Sequence, residues 1–169
     1  MSNYSTLGGN YKTPFSQRKK ITIAEDKAEE YLKESKCHWF RYGLDQRTSS
    51  VPGFMFAKID SRVRNTPDYI VMPYKEMLPL IFKGKPFFLE AKGCKDILRL
   101  KIRDLNAYQY WDTSFDMRVR LFIYSTDEKA HTQIALEDLT FQVEGNNYEK
   151  KVFEDSGQEY YEIPVKDLF

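Results

Sequence analysis

The sequence has little cysteine, no long hydrophobic run and almost no net charge. Its two cysteines, Cys37 and Cys94, cannot form a disulfide framework, so we expect two free thiols in a reducing compartment. No segment reaches membrane-spanning length and residues 1–20 contain no apolar signal core, which predicts a cytoplasmic protein with no membrane association. A formal net charge of +1 means that binding of nucleic acid would depend on a local basic patch.

The length of 169 residues and the composition, 41% hydrophobic and 30% charged, indicate one globular domain. Residues 1–20 are polar and end in the basic cluster Arg18, Lys19 and Lys20, which favours a flexible basic tail. The alternative is an arm that reaches a nucleic-acid backbone. Residues 21–169 are then the single folded domain.

Hydrophobic periodicity predicts alternating helices and strands. A helix is expected from Thr22, because TIAEDKAEEYLKESK has apolar residues at three-to-four spacing and Glu25 in position for a capping box with Thr22. A second helix is expected at 96–112. Strands are expected at 38–45, 54–64, 69–72, 86–92, 118–125, 141–143 and 160–165. This order predicts an α/β fold, a three-layer-like sandwich with a central mixed β-sheet flanked by helices.

Charged side chains interrupt two of the apolar strands. The period of two puts Glu90 and Lys92 on one face of the strand at 86–92, where burial is costly unless they pair or bind something. Asp68 opens the strand at 69–72, so the two carboxylates converge if these strands are neighbours. The alternatives are an ordinary surface ion pair and a turn aspartate.

Two carboxylates and a backbone carbonyl, here that of Ala91, form an oxygen environment that suits Mg²⁺ or Mn²⁺. Such an ion polarises a phosphodiester and lowers the pKa of a bound water. Lys92 would orient or deprotonate that water, or neutralise the charge that develops on phosphorus. The residues therefore predict a metal-dependent phosphodiesterase site.

Thr66-Pro67-Asp68 and Glu90-Ala91-Lys92, each at a strand, resemble the motifs of the PD-(D/E)xK nuclease superfamily, which includes restriction enzymes, Holliday-junction resolvases and phage recombination nucleases. The resemblance implies a restriction-endonuclease-like fold with Asp68, Glu90 and Lys92 as catalytic residues. One departure is the segment 69–89, which is longer than the tight hairpin of many members and implies an inserted loop.

Two further residues are assigned through this resemblance. The run Glu25-Asp26-Lys27, followed by Leu32 and Glu34-Ser35-Lys36, is similar to the first helix of phage junction-resolving endonucleases, which implies that Glu25 is a metal ligand. A capping role explains Glu25 equally well. Many members carry a polar residue on the helix after the ExK strand, and Gln109 is the candidate; a solvated or core-edge amide is its alternative.

Lys95, Arg99 and Arg103 recur every four residues and predict either a phosphate-contacting face or a solvated face of the second helix. The expected function is Mg²⁺-dependent hydrolysis of DNA by an endonuclease of recombination, junction-processing or phage type. Cutting two strands requires two sites, so a homodimer is expected. The alternatives are a non-catalytic DNA-binding or assembly subunit, and a nuclease that acts on RNA or single strands.

Overall fold

The computed structural model describes residues 15–35, 37–43, 58–73, 85–145 and 148–169, and in the first helix it describes side chains from Ile23 onward. The helices are α1 (Phe15–Glu34), α2 (Ser61–Arg64), α3 (Ile102–Ser114) and α4 (Leu136–Gly145). The strands are β1 (His38–Arg41), β2 (Tyr69–Met72), β3 (Phe87–Cys94), β4 (Ile97–Lys101), β5 (Arg118–Ser125), β6 (Ala130–Ala135), β7 (Lys150–Val152) and β8 (Glu159–Pro164). A 3-10 turn, Val165–Asp167, follows β8.

The described strands form two sheets. Five make a mixed sheet in the order β1-β2-β3-β5-β6, and three make a smaller sheet in the order β4-β8-β7. In the larger sheet β1, β2 and β3 are antiparallel neighbours, whereas β3 and β5 are parallel. A parallel pair requires a long crossover connection, and β4 with α3 provides it.

One face of the larger sheet is covered by α1. Ala24, Ala28 and Leu32 recur at helical spacing and are buried against the sheet. Leu89 and Phe122 belong to the same cluster from the strand side. Because the alanine side chains are short, the helix backbone lies close to the strands. Polar residues next to the alanines, such as Glu25, therefore lie close to the sheet.

The opposite face packs on α3, α4 and the smaller sheet. Phe88 and Leu121 point to this side, where they join Leu98 of β4, Leu105 of α3 and Leu139 of α4 in a second cluster. The layers are therefore a helix, the mixed sheet, and a layer of helices with a second small sheet. The predicted α/β fold with a central mixed sheet is confirmed.

Both cysteines are free thiols, as predicted, with Cys94 buried and Cys37 partly exposed. Within the described parts of the chain, no helix has the length and apolar character that a membrane span needs.

The first helix is longer than predicted. It begins at Phe15, so Thr22 lies inside the helix and the predicted capping box of Thr22 with Glu25 is wrong. The polar residues that suggested a tail include good helix formers, and a formed helix gains a hydrogen bond with each residue added. The predicted boundary after residue 20 therefore falls within α1. Residues 1–14 lie outside the described residues.

The predicted helix at 96–112 is wrong in its first part, because residues 97–101 form β4 and α3 begins at Ile102. Leu98 and Leu100 are buried on one side of β4 while Ile97 is exposed on the other. The strand pairs with β8 in a register that sets Leu98 opposite Ile163. Pairing with a distant segment thus overrides the local helical pattern.

Two shorter predicted strands are also corrected. Of the strand expected at 54–64, residues 58–64 form a turn and α2, whose N-cap Asp60 accepts a hydrogen bond from the Arg62 N–H at 2.8 Å; residues 54–57 lie outside the described residues.

The strand expected at 141–143 is part of α4, with Val143 buried and Phe141 exposed. The strand expected at 160–165 is confirmed as β8 up to Pro164, and Val165 begins the 3-10 turn. The first strand ends at Arg41, and residues 44–45 of the predicted span lie outside the described residues.

The packing of α1 on the sheet predicts a contrast between two phenylalanines. Phe122 is 0% exposed between the sheet and α1, whereas Phe141 on α4 is 76% exposed. We expect Phe122→Ala to lower the free energy of unfolding by about 3–5 kcal/mol and Phe141→Ala to change it by less than about 0.5 kcal/mol. Urea denaturation of the two variants measures this, and equal losses would contradict the described layering.

Candidate active site

Antiparallel pairing of β2 and β3 brings Asp68 beside the middle of β3. Tyr69 stands opposite Leu89 in the register, which places Asp68, one residue earlier, at the level of Glu90. The Asp68 Oδ2 atom accepts a hydrogen bond from the Ala91 N–H at 2.8 Å. Asp68 and the Glu90-Ala91-Lys92 motif therefore meet as predicted, through a hydrogen bond between the Asp68 side chain and the backbone of β3.

The approach of β1 to Asp68 depends on Gly43. The Asp68 carbonyl accepts hydrogen bonds from the N–H groups of Tyr42, at 2.8 Å, and Gly43, at 3.2 Å. A Cβ atom added at Gly43 would lie 3.2 Å from the Asp68 Cα and 3.3 Å from the Pro67 carbonyl oxygen. Glycine therefore permits a close backbone contact that holds Asp68 from the side opposite β3.

Glu90 and Lys92 share one face of β3, as predicted. The Lys92 Nζ lies 2.7 Å from the Glu90 Oε1, and the Tyr108 hydroxyl of α3 donates a hydrogen bond to the same oxygen at 2.7 Å. Glu90 is 6% exposed, and a buried carboxylate needs such partners. One oxygen of Glu90 is therefore committed to Lys92 and Tyr108, while the other is left for a further ligand.

Lys92 is held as a cation. Burial acts to lower the pKa of its ammonium group, but the charge of Glu90 and the nearby Tyr108 and Asp104 outweigh burial, so the pKa is raised well above the ordinary lysine value. The Asp104 Oδ2 lies 4.0 Å from the Lys92 Nζ. An ammonium group held in this way can stabilise negative charge, which is one of the roles predicted for Lys92.

At Asp68, by contrast, burial outweighs the nearby favourable contacts. Burial, followed by the charge of Glu90, raises the pKa of the Asp68 carboxyl well above its ordinary value, and the Ala91 N–H and Lys92 offset only part of this. Two carboxylates therefore share a buried position close to a single ammonium group, that of Lys92. Such a position attracts a proton or a metal cation.

Glu25 also reaches this position, although it comes from the helix on the other face. Its Oε2 lies 3.5 Å from the Arg41 Nη1. The Arg41 Nε and Nη2 atoms both donate to the Glu29 Oε1, at 2.8 and 2.6 Å. Arg41 thus fixes the orientation of this part of α1 relative to β1.

These side chains line a single pocket at the edge where α1, β1, α2, β2, β3 and α3 meet. Its lining residues are Glu25, Arg41, Gly43, Arg64, Asn65, Thr66, Asp68, Tyr69, Glu90, Lys92, Asp104 and Tyr108. Four predicted residues, Glu25, Asp68, Glu90 and Lys92, are therefore brought together.

The remaining predicted side chains are placed elsewhere. Gln109 does not line the pocket and is partly buried on α3, because its neighbour Tyr108 faces β3 instead. Lys95 lies in the turn after β3, Arg99 on β4 is 3.2 Å from Glu162, and the Arg103 Nη2 is 3.5 Å from Asp104. The predicted common helical face of Lys95, Arg99 and Arg103 is wrong, since they stand on a turn, a strand and a helix.

Sequence reasoning missed four of the pocket residues that carry polar groups: Arg41, Arg64, Asp104 and Tyr108. Asp104 and Tyr108 are four residues apart and occupy one face of α3. With the helix start placed at Ile102, that spacing after an ExK strand would have indicated both residues. Arg41 and Arg64 carry no such local signal, because only the tertiary fold sets them beside Asp68.

The donor set fits a divalent cation that keeps part of its water shell. Among the described residues, no group of three His, Cys, Asp or Glu side chains could hold a metal ion by itself. Mg²⁺ is commonly bound by one or two carboxylates and several waters, and Asp68 with Glu90 supplies two. In an extended strand the N–H and C=O of a residue point the same way, so the Ala91 carbonyl lies on the side of Asp68.

The raised pKa of Asp68 predicts a stabilising substitution. A group whose pKa is higher in the folded state stabilises the fold fully below its unfolded pKa, and this contribution is lost as the pH rises towards the folded pKa. Asp68→Asn keeps an oxygen for the Ala91 N–H but carries no charge. In EDTA at neutral pH we expect it to be more stable than the wild type, because the neutral amide avoids the cost of ionising a buried carboxyl beside Glu90.

The difference should vanish below the ordinary carboxyl pKa of about 4, where Asp68 is protonated in both states. Asp116→Asn is the control, because Lys85 lowers the pKa of the exposed Asp116 carboxyl and its removal has no stabilising effect at neutral pH. Urea denaturation across the pH range is the measurement. If Asp68→Asn is instead less stable than the wild type at neutral pH, the ionised Asp68 carboxyl stabilises the fold and its pKa is not raised.

No protein-family model matches the sequence, and no curated protein matches it. Solved structures do. D212, a nuclease from a fusselovirus, is similar with a TM-score of 0.50 at 10% identity, over 90% of this chain and 85% of that one. Hjc, a Holliday junction resolvase from Archaeoglobus fulgidus, has a TM-score of 0.48 at 12% identity, over 88% of this chain and 87% of that one.

At these identities the likeness concerns the fold alone. The arrangement of sheet and helices is similar to that of D212, which agrees with the predicted α/β fold.

Proposed function

We propose that this protein is a metal-dependent nuclease that hydrolyses phosphodiester bonds of DNA. The observation that carries the proposal is the meeting of Asp68, Glu90 and Lys92 in one pocket, with Asp68 bonded to the backbone between the other two. Two carboxylates beside a fixed ammonium group match what phosphodiester hydrolysis requires. The likeness in fold to D212, a nuclease, supports the same function.

The proposed metal ligands are Asp68, Glu90 and the Ala91 carbonyl, with Glu25 at the edge of the same pocket. Mg²⁺ or Mn²⁺ suits these oxygen donors, and when bound it would polarise the phosphodiester and lower the pKa of a bound water. The Ala91 N–H occupies Oδ2 of Asp68, and Lys92 with Tyr108 occupies Oε1 of Glu90. Oδ1 and Oε2 are then the atoms that remain for the ion.

Lys92 supplies the positive charge at the attacked phosphate. Its raised pKa keeps it charged at neutral pH, and its contacts with Glu90 and Asp104 hold it without reorganisation. A fixed, partly buried charge stabilises a developing negative charge more strongly than a mobile one at the surface. Stabilisation of this developing charge is therefore the role that we propose for Lys92.

The substrate class is proposed more finely as the DNA of recombination, junction processing or phage replication. The residues of α1 that resemble junction-resolving endonucleases support this, since Glu25 reaches the pocket. Because one pocket cuts one strand, cutting two strands symmetrically calls for a homodimer. A panel of linear duplex, single-stranded, branched and supercoiled DNA separates these substrates, and sedimentation of the protein gives its oligomeric state.

Cleavage by variants tests the assignment of residues. Glu90→Gln and Lys92→Gln keep hydrogen-bonding groups but remove one charge each, and we expect each to lower the cleavage rate in Mg²⁺ or Mn²⁺ at least about 100-fold. Lys151→Gln is the control, since Lys151 pairs with Glu162 at 2.6 Å and does not line the pocket; it should cut at the wild-type rate. Absence of cleavage of every DNA by the folded wild type would favour a non-catalytic DNA-binding subunit, or an RNA substrate.

Metal binding can be tested without activity. A ligand that binds only the folded state stabilises it by about 2.7 kcal/mol at 100 times its dissociation constant, so Mg²⁺ or Mn²⁺ should raise the melting temperature of the wild type. We expect Asp68→Asn and Glu90→Gln to lose this rise, and Asp116→Asn to retain it. Differential scanning calorimetry with metal or EDTA gives the result. An equal rise in all variants would place the ion elsewhere.

A further inference from the structure

Arg64 lines the same pocket as Asp68, Glu90 and Lys92, yet nothing in the proposed mechanism uses it. Its Nε is buried and has no hydrogen-bond partner among the residues that the structure describes. A buried N–H without a partner is costly, and a guanidinium group more so. Because Arg64 also lines the pocket, a ligand with acceptor oxygens bound there would lie beside a guanidinium group that the described residues do not fully satisfy.

The backbone that carries Arg64 is firmly held. The Arg64 N–H donates to the Asp60 carbonyl at 2.9 Å, and the Asn65 N–H donates to the Ser61 carbonyl at 3.0 Å. The Trp111 Nε1 donates to the Arg62 carbonyl at 2.9 Å, which ties α2 to α3. Arg64 therefore lines the pocket from a fixed helix, and little order needs to be gained on binding.

The other cations of the pocket are already neutralised. Arg41 forms two hydrogen bonds with Glu29, and Lys92 pairs with Glu90 at 2.7 Å. No carboxylate of the described residues forms an ion pair with Arg64. Two residues earlier on the same short helix, Arg62 is bonded to Asp60 at 2.9 and 3.0 Å and lies over the Tyr110 ring at 5.0 Å.

We propose that Arg64 binds a backbone phosphate of the DNA strand that enters the pocket. The inference rests on the proposed function, since it takes DNA as the substrate. A guanidinium group offers a planar pair of donors that matches two phosphate oxygens. Contacts of this type fix the position of the strand and carry no base specificity. Arg64 thereby takes over the phosphate-binding role that the sequence suggested for Lys95, Arg99 and Arg103.

The test compares Arg64→Gln with Arg62→Gln, which remove the same charge from the same helix. Affinity for a fluorescent DNA duplex and for a branched DNA is measured by anisotropy in EDTA, so that cleavage does not interfere, over a series of salt concentrations. We expect Arg64→Gln to weaken binding about tenfold or more and to reduce the slope of log affinity against log salt by about 1. Arg62→Gln should leave both quantities unchanged.

Arg64→Lys distinguishes a paired contact from simple charge. It should keep the wild-type salt slope but recover only part of the affinity, because an ammonium group cannot bind two oxygens in one plane. Melting temperatures of all variants confirm that they are folded. Equal effects of Arg64→Gln and Arg62→Gln, no effect of Arg64→Gln, or no binding of DNA by the wild type would each overturn the inference.

The outcome for Arg64 is separable from the outcome for the nuclease. Cleavage by the wild type together with binding that does not depend on Arg64 would leave the proposed function and remove this inference. Binding that depends on Arg64 without cleavage by any metal-loaded protein would leave the inference and remove the nuclease.

Discussion

The pairing of β2 with β3 is the constraint on which the pocket depends, and the bond from the Ala91 N–H to Asp68 marks its register. A slip of one residue would turn Glu90 and Lys92 to the opposite face of the sheet, under α1. It would also bring Leu89 to the face now occupied by Glu90. The same pairing therefore completes the apolar layer beneath the helix and positions the charged groups. The register that stabilises the sheet is also the register that assembles the site.

Helix α1 contributes both to the apolar layer and to the pocket. Ala24 and Ala28 are fully buried, while Glu25 and Glu29 reach Arg41 at the rim of the pocket. Because Glu25 adjoins Ala24, a larger side chain in place of the alanine would displace a group of the pocket along with the helix. Packing beneath the helix thus limits the position of a polar residue that does not itself belong to the core.

The sequence contained the part of the site that follows from alternation along one strand. Glu90 and Lys92 had to share a face once residues 86–92 were recognised as a strand, and Asp68 needed only a neighbouring strand. The predictions that were wrong concern residues whose structure depends on partners distant in sequence. Leu98 and Leu100 suit a helix or a strand, and pairing with β8 decides between them. That error displaced the start of α3. Gln109 was assigned through the resemblance, whereas Tyr108 is the residue of this helix that contacts Glu90. Arg64 lies on α2, and Trp111 holds this helix through the Arg62 carbonyl, a contact that no local pattern contains.

The positive charge of Lys92 offsets part of the negative charge of two neighbouring carboxylates, those of Glu90 at 2.7 Å and Asp104 at 4.0 Å. Removing one member of a buried charge set leaves the others uncompensated and costs about 3–5 kcal/mol, a large share of the stability of a domain. Single replacements at these positions are therefore poorly tolerated, whereas coordinated replacements keep the balance. Over evolutionary time we expect the three positions to change together: a descendant of this chain that has lost its lysine at position 92 should also have lost an acid at position 90 or 104.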